Sequence, residues 1–354
     1  MVKHPLLTLC RTALLSASVA LLGCGTSTVT VDSVKHRAGT AVVESCELDS
    51  LTRLSLLSDD ARAVISDVVL ICLYVRDDVA TALAPADVSS VGQTVSELHK
   101  FGYRVQLGVT TGEPFSQTPS KLDALLQSTT RRATLTASIV SQAPLADGIV
   151  LIPPTLAQTT EPAFRTWIGE LSQSITSSKL SLFAPPSSQS PSDIPGGDEV
   201  NLSALQSKLA RVSLMTLDES CCDGMAGPTT SASWISSVVS YAEQTSPTLP
   251  MQFAVPLYGT YFGPQGQRQL SYLEAVGLAG DRNIEILRSE AGALHYSYQE
   301  PSGARTEVYF DDAHSTVQLL SQIDASVLPS VGILYYGVGG EDPALWSTLR
   351  EKMK

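Results

Sequence analysis

The run D-V-V-L-I-C-L-Y-V, residues 67–75, is apolar on both of the faces that a β-strand alternates between, so as a strand it must be covered on both sides. Seven further runs of the same kind follow or precede it: 40–46 (T-A-V-V-E-S-C), 103–110 (Y-R-V-Q-L-G-V-T), 147–152 (D-G-I-V-L-I), 180–184 (L-S-L-F-A), 211–216 (R-V-S-L-M-T), 251–257 (M-Q-F-A-V-P-L) and 331–337 (V-G-I-L-Y-Y-G). Helical stretches separate them. In 120–142, for example, Leu122, Leu125, Leu126, Leu135 and Ile139 are spaced to bury one side. Buried strands alternating with helices predict a parallel sheet covered on its outside, and eight such units predict a closed (β/α)₈ TIM barrel of the α/β class. A chain of 354 residues is long enough for one large barrel or for two average domains, and the repeat favours the barrel.

One interval is too long for a simple crossover. Residues 258–330 are expected to carry a small α+β insertion between strands seven and eight, with 291–310 forming a hairpin around a Pro-Ser-Gly turn. The segment Pro185 to Asp198, rich in Ser, Pro and Gly, reads as a loop on the carboxyl side of strand five, where barrel proteins build their sites.

The amino terminus has a different logic. Lys3 and Arg11 precede the apolar core A-L-L-S-A-S-V-A-L-L-G, which is too short to span a membrane and suits a signal peptide over residues 1–23. Leu21-Leu22-Gly23-Cys24 resembles the bacterial lipobox, which implies that Cys24 is acylated and becomes the first residue of the mature chain. Residues 24–38 then serve as a polar tether, and the barrel occupies 39–354. The acyl chains would hold the protein to a membrane in the bacterial cell envelope; Gly25 in place of an aspartate after the cysteine points to the outer membrane where the cell has one. Without residues 1–23 the chain keeps 21 basic and 35 acidic residues, a net charge of −14 that repels nucleic acid.

The strands themselves carry a second resemblance. The fourth, D-G-I-V-L-I-P-P, is similar to the D-G-x-D-x-D-x-E signature of family 18 glycoside hydrolases, the chitinase-like barrels. L-M-T-L-D resembles that family's M-x-Y-D, and F-A-V-P-L-Y-G-T its G-x-P-x-Y-G. V-Y-F-D-D-A-H-S-T and G-I-L-Y-Y-G then follow its closing pattern, and the match extends over most of residues 40–350. The resemblance implies catalysis by a glutamate that protonates the leaving oxygen, while the substrate's own acetamide attacks the anomeric carbon between two aspartates and a tyrosine. In this chain the three carboxyl positions are Val150, Ile152 and Pro154, and the tyrosine is Leu217. The motif is degenerate, and no catalytic residue is expected at those positions.

Other residues near the expected mouth remain as candidates. Asp218, Glu219 and Glu113 are the carboxyls from which a displaced acid could come, and Tyr258, Tyr335 and Tyr336, with Asp218, are the expected glycan contacts. Asp147 at the foot of strand four, His314, and the helix-borne Trp167, Trp234 and Trp346 read as structural or surface residues. Cys221-Cys222-Asp223 has no histidine close in sequence, so neither a metal nor a cofactor is expected. Cys46 and Cys72, on neighbouring strands, are either a disulfide or a buried pair of thiols.

Three functions fit these features. The first is a lipid-anchored envelope protein whose inactive barrel binds an N-acetylglucosamine-containing glycan of chitin or peptidoglycan type, or acts as a scaffold. The second is a working glycosidase with a displaced acid, and the third a structural or protein-binding lipoprotein. Cys24 tests the anchor shared by the first and third. Cys24→Ser is expected to leave the protein unprocessed or to move it from the membrane to the soluble fraction; a variant that fractionates and matures like the parent would refute acylation.

Overall fold

The computed structural model describes residues 39–46, 55–75, 82–83, 88–110, 121–154, 156, 159–176, 179–186, 200–220, 225–324 and 331–352. The proposed signal peptide, the tether and Cys24 lie outside these, as do Glu113, Cys221-Cys222-Asp223 and the loop beyond Pro186 as far as Asp198.

Eight strands form the barrel: β1 Gly39–Val43, β2 Ile65–Val75, β3 Arg104–Thr110, β4 Gly148–Ile152, β5 Leu180–Ala184, β6 Arg211–Leu214, β7 Met251–Pro256 and β8 Gly332–Tyr336. All neighbours are parallel. Closure is made by β1, whose Ala41 stands opposite Tyr335 of β8 on one side and Val68 of β2 on the other. Helices such as Glu161–Ile175 and Ala232–Thr245 cover the outside, where Leu107, Leu151, Trp167, Ile168, Val238 and Phe253 share one core. Trp346 and Trp234 also pack there.

The expected single helix over 120–142 is two. Ser128 ends Lys121–Gln127 and starts Thr129–Gln142, its Oγ accepting the Arg131 N–H at 3.4 Å. A serine hydroxyl competes for backbone donors, which suits a helix start better than an interior.

Inside, the barrel has three layers. The floor is polar: Gln252 Nε2 donates to Thr40 Oγ1 at 2.8 Å, Ser213 Oγ donates to Gln252 Oε1 at 3.2 Å, and Asp67 pairs with Arg104 at 2.8 Å and faces Arg211 at 3.8 Å. Asp147 belongs to this end, accepting the Val105 N–H at 2.7 Å and lying 2.9 Å from His99 Nε2. Above the floor, Val42, Val69, Val150, Ile152, Phe183, Met215 and Leu334 fill the bore with apolar atoms. The third layer is the mouth.

The insertion occupies 259–310. A five-stranded antiparallel sheet, Gly259–Gly263, Gly266–Leu270, Leu287–Arg288, Leu294–Gln299 and Arg305–Phe310, packs on the helix Tyr272–Asp281 around Tyr296, Val308 and Phe310. The expected hairpin is its Leu294–Gln299 and Arg305–Phe310 pair. The next helix, Ala313–Asp324, returns to the barrel, because Leu319, Leu320 and Ile323 join the barrel's outer core. At the entry to the insertion, Gly259 lies so close to Phe310 that a Cβ would stand 2.5 Å from the Phe310 Cβ and 2.6 Å from the Tyr309 carbonyl oxygen.

Cys46, just beyond β1, is disulfide-bonded to Cys72, with their Cα atoms 5.6 Å apart. Cys72 is the extra residue of a bulge in β2, between Ile71 opposite Gly108 and Leu73 opposite Val109. Closing a loop across a separation of 26 residues restricts the unfolded chain by about 3.5 kcal/mol on the loop-entropy relation. Cys46→Ala with Cys72→Ala is therefore expected to lower the unfolding free energy by about that much in denaturant titration. Intact mass after alkylation without reduction should show these two thiols protected.

Candidate functional site at the barrel mouth

Side chains that leave the inner face at the carboxyl ends of the strands build the mouth. Continuing the alternation of Thr40 and Val42 brings Glu44 to it from β1, and Leu334 is followed in the same way by Tyr336 from β8. The chain after β7 supplies Tyr258, and the chain after β6 supplies Leu217 and Asp218. The Tyr336 hydroxyl donates to Glu44 Oε1 at 2.7 Å, and the Tyr258 hydroxyl donates to Asp218 Oδ1 at 3.1 Å. The two rings meet edge to face with centroids 6.5 Å apart. Because β1, β8, β7 and β6 are consecutive in the barrel, these residues form one arc: carboxylate, phenol, phenol, carboxylate.

The turn after β6 separates the two adjacent carboxylates. Thr216 Oγ1 donates to the Ala254 carbonyl at 2.7 Å, and Asp218 takes a left-handed backbone conformation with φ of 60°, which aspartate tolerates better than most residues. Asp218 therefore enters the mouth. Glu219 turns away, its backbone N–H bonding the Thr229 carbonyl and its Oε1 accepting from Ser231 Oγ at 3.0 Å at the start of the helix Ala232–Thr245. Burial raises the Asp218 carboxyl above its ordinary range, against the hydrogen bond from Tyr258. Burial likewise raises Glu219, and it raises both tyrosine hydroxyls, aided by the carboxylate each one bonds.

The facing part of the bore is apolar. Val150 and Ile152 point inward at 1 % exposure each, Pro154 is buried beyond them, and Leu217 packs against the same inner cluster. Val150, Ile152, Pro154 and Leu217 thus carry no proton donor or acceptor in their side chains.

Tyr335 is not at the mouth, contrary to the sequence expectation. Its neighbours Leu334 and Tyr336 face inward, so strand alternation sends Tyr335 outward, where it meets the Trp346 ring edge to face at 5.3 Å. Two residues at the mouth escaped the sequence reading. Glu44 lies within the apolar run 40–46, and its period-two relation to Val42 is the signal that marks it. Tyr74 gave none: the bulge at Cys72 puts Cys72 and Leu73 both on the outer side and re-aims Tyr74 toward Tyr336, leaving it 42 % exposed. His314 is exposed on the outer side of the molecule's last crossover.

A closed eight-stranded parallel barrel with helices outside and an α+β insertion before its last strand defines a (β/α)₈ barrel. No protein-family model matches the chain, and no curated protein does. Solved structures match closely in fold. The spore cortex-lytic enzyme SleL of Bacillus cereus superposes with a TM-score of 0.72 at 19 % identity, over 90 % of this chain and 75 % of that one. A chitinase from Chromobacterium violaceum gives 0.73 at 19 %, over 89 % and 98 %. A family 18 chitinase from Cycas revoluta, solved with (GlcNAc)₃, gives 0.69 at 12 %, over 89 % and 99 %. The fold is that of the chitinase-like family 18 glycoside hydrolases.

Beside the arc, a narrow crevice with room for about one water molecule lies between the barrel and the insertion, lined by Tyr258, Gly259, Tyr272, Asp311, Gly340 and Asp342 among others. Burial and then the Asp312 charge push the Asp311 carboxyl up to about 7, against Arg288; Glu341 and Asp342 also face the crevice. A raised carboxyl favours the fold while it is protonated, and that contribution is lost as pH rises from the ordinary carboxylate range through about 7. Asp311→Asn removes the loss. Its melting temperature should equal the parent's near pH 4 and exceed it by about 2–4 °C near pH 8, read by differential scanning fluorimetry.

Proposed function

We propose that the protein is a lipid-anchored component of the bacterial envelope whose barrel binds an N-acetylglucosamine-containing glycan and does not hydrolyse it. One observation carries this reading: the inner face of β4 and the chain beyond it present Val150, Ile152 and Pro154 where family 18 chemistry requires three carboxyls. Expelling a sugar leaving group near neutral pH needs a proton delivered to the glycosidic oxygen, and Pro154 has none. General acid catalysis alone accounts for about 10²- to 10⁴-fold. The acetamide must also be held while charge grows on it, and Val150, Ile152 and Leu217 offer only apolar contact.

Binding makes different demands. Sugar hydroxyls need donors and acceptors, which Glu44 and Asp218 offer, and pyranose faces need apolar or aromatic surface, which the exposed Tyr74 offers; Tyr336 and Tyr258, both buried, hold the two carboxylates in place. The chitinase of the same fold that was solved with (GlcNAc)₃ supports this class of ligand. The acyl anchor rests on Cys24 and the segment before it, and would keep the barrel close to wall polymers.

A second reading is favoured by one feature. Asp218 is a half-buried carboxyl with a raised pKa at the mouth, the state in which a carboxyl serves as an acid. Assays on chitooligosaccharides and on peptidoglycan separate the two. The purified protein is expected to release no product above background, and turnover that vanishes in Asp218→Asn would replace the binding reading with an active glycosidase. Restoring Val150→Asp, Ile152→Asp, Pro154→Glu and Leu217→Tyr together tests whether only the catalyst is missing, provided that the melting transition of the variant shows a folded barrel.

A further inference from the structure

The mouth does not merely lack the groups that hold an acetamide; it has different ones. An acetamide is neutral, and the positions that would orient it are aliphatic in this chain: Val150 and Ile152 at the inner wall and Leu217 above them. A carboxylate-lined aromatic arc suits another substituent. Glu44 is exposed, and the Tyr336 hydroxyl takes up only part of the accepting capacity of a carboxylate, which has about four lone-pair directions. Across the two phenols, Asp218 offers a second acidic oxygen pair. Tyr74 adds an exposed ring beside Tyr336, and aromatic faces attract alkylammonium groups. The net charge of the mature chain, −14, is of the sign that draws a cation to the surface.

We infer that the mouth prefers amino sugars whose nitrogen is free, so that the glycan bound is a de-N-acetylated, glucosamine-containing stretch of an otherwise N-acetylglucosamine-type polymer. The free ammonium is held between Glu44 and the exposed Tyr74 ring, with Asp218 placed for a neighbouring hydroxyl or for a second ammonium. This rests on the glycan-binding reading and sharpens it.

The selectivity should weaken as pH falls, because the raised Asp218 carboxyl loses its charge before an ordinary one does.

Isothermal titration of the full-length protein with the β-1,4-linked hexamers of glucosamine and of N-acetylglucosamine, at pH 6 and low salt, tests it. The glucosamine hexamer is expected to bind about tenfold more tightly or better, the scale of one charge-assisted hydrogen bond. Glu44→Gln keeps an acceptor for Tyr336 and removes the charge, so it should lower the affinity for the glucosamine hexamer more than that for the N-acetylated one and bring the two close together. Raising the salt to 0.5 M should narrow the gap in the parent. Equal binding of the two hexamers, or a preference for the N-acetylated one, overturns the inference and leaves the glycan-binding reading standing; so does a preference that survives in Glu44→Gln while the variant melts like the parent. Binding of neither hexamer removes both.

Discussion

The parallel hydrogen bonding of β1 to β8 on one side and to β2 on the other holds the architecture together. It closes the sheet, so no strand edge remains to be capped, and it forces every barrel strand to sort its residues into an inside and an outside. Everything distinctive about the mouth follows from that sorting. Glu44, Tyr336, Tyr258 and Asp218 are neighbours only because the strands that carry them are consecutive around a closed ring, although as many as 292 residues separate members of a bonded pair. The closing strand β1 is also the one joined to β2 by the Cys46–Cys72 bond, at the mouth end, between the residues that position Glu44 and Tyr74.

The interior is graded by polarity in a way that separates stability from chemistry. At the floor, charged and amide side chains answer one another, as Asp67 does with Arg104 and Gln252 with Thr40 and Ser213. The middle is aliphatic and needs no partners. Among the described residues, polar groups return at the mouth on the arc from β1 to β6. In a barrel of this fold that acted on acetamido sugars, carboxyls would intrude into the middle layer from β4, and each would need charge compensation in a poorly hydrated space. Val150 and Ile152 remove that requirement, and the bore packs as an ordinary core.

Much of the fold was legible in the sequence because a buried parallel strand has no alternating polar face and so stands out as a continuous apolar run. All eight runs became strands, and the insertion fell in the interval too long for a crossover. The failures have local physical causes. Ser128 divided a helix that its leucines made continuous. Tyr335 was assigned to the mouth on composition, whereas alternation from Leu334 sends it outward to Trp346. Tyr74 could not be placed by alternation at all, because the bulge at Cys72 shifts the phase by one residue and nothing in D-V-V-L-I-C-L-Y-V marks it. Glu44 was the most recoverable omission, since it follows Thr40 and Val42 with the period of a strand, but a lone acid at the end of an apolar run drew no attention beside more complete motifs.

The close approach of Gly259 to Phe310 bears on how tightly a ligand can be held. The chain passes from Pro256 of the barrel into the first strand of the insertion within three residues, and at Gly259 it lies in contact with the insertion's last strand. A joint so short leaves the wall little room to swing as a rigid flap. A ligand at the mouth would meet a wall already in place, and would forfeit less of its binding free energy to ordering the protein around it.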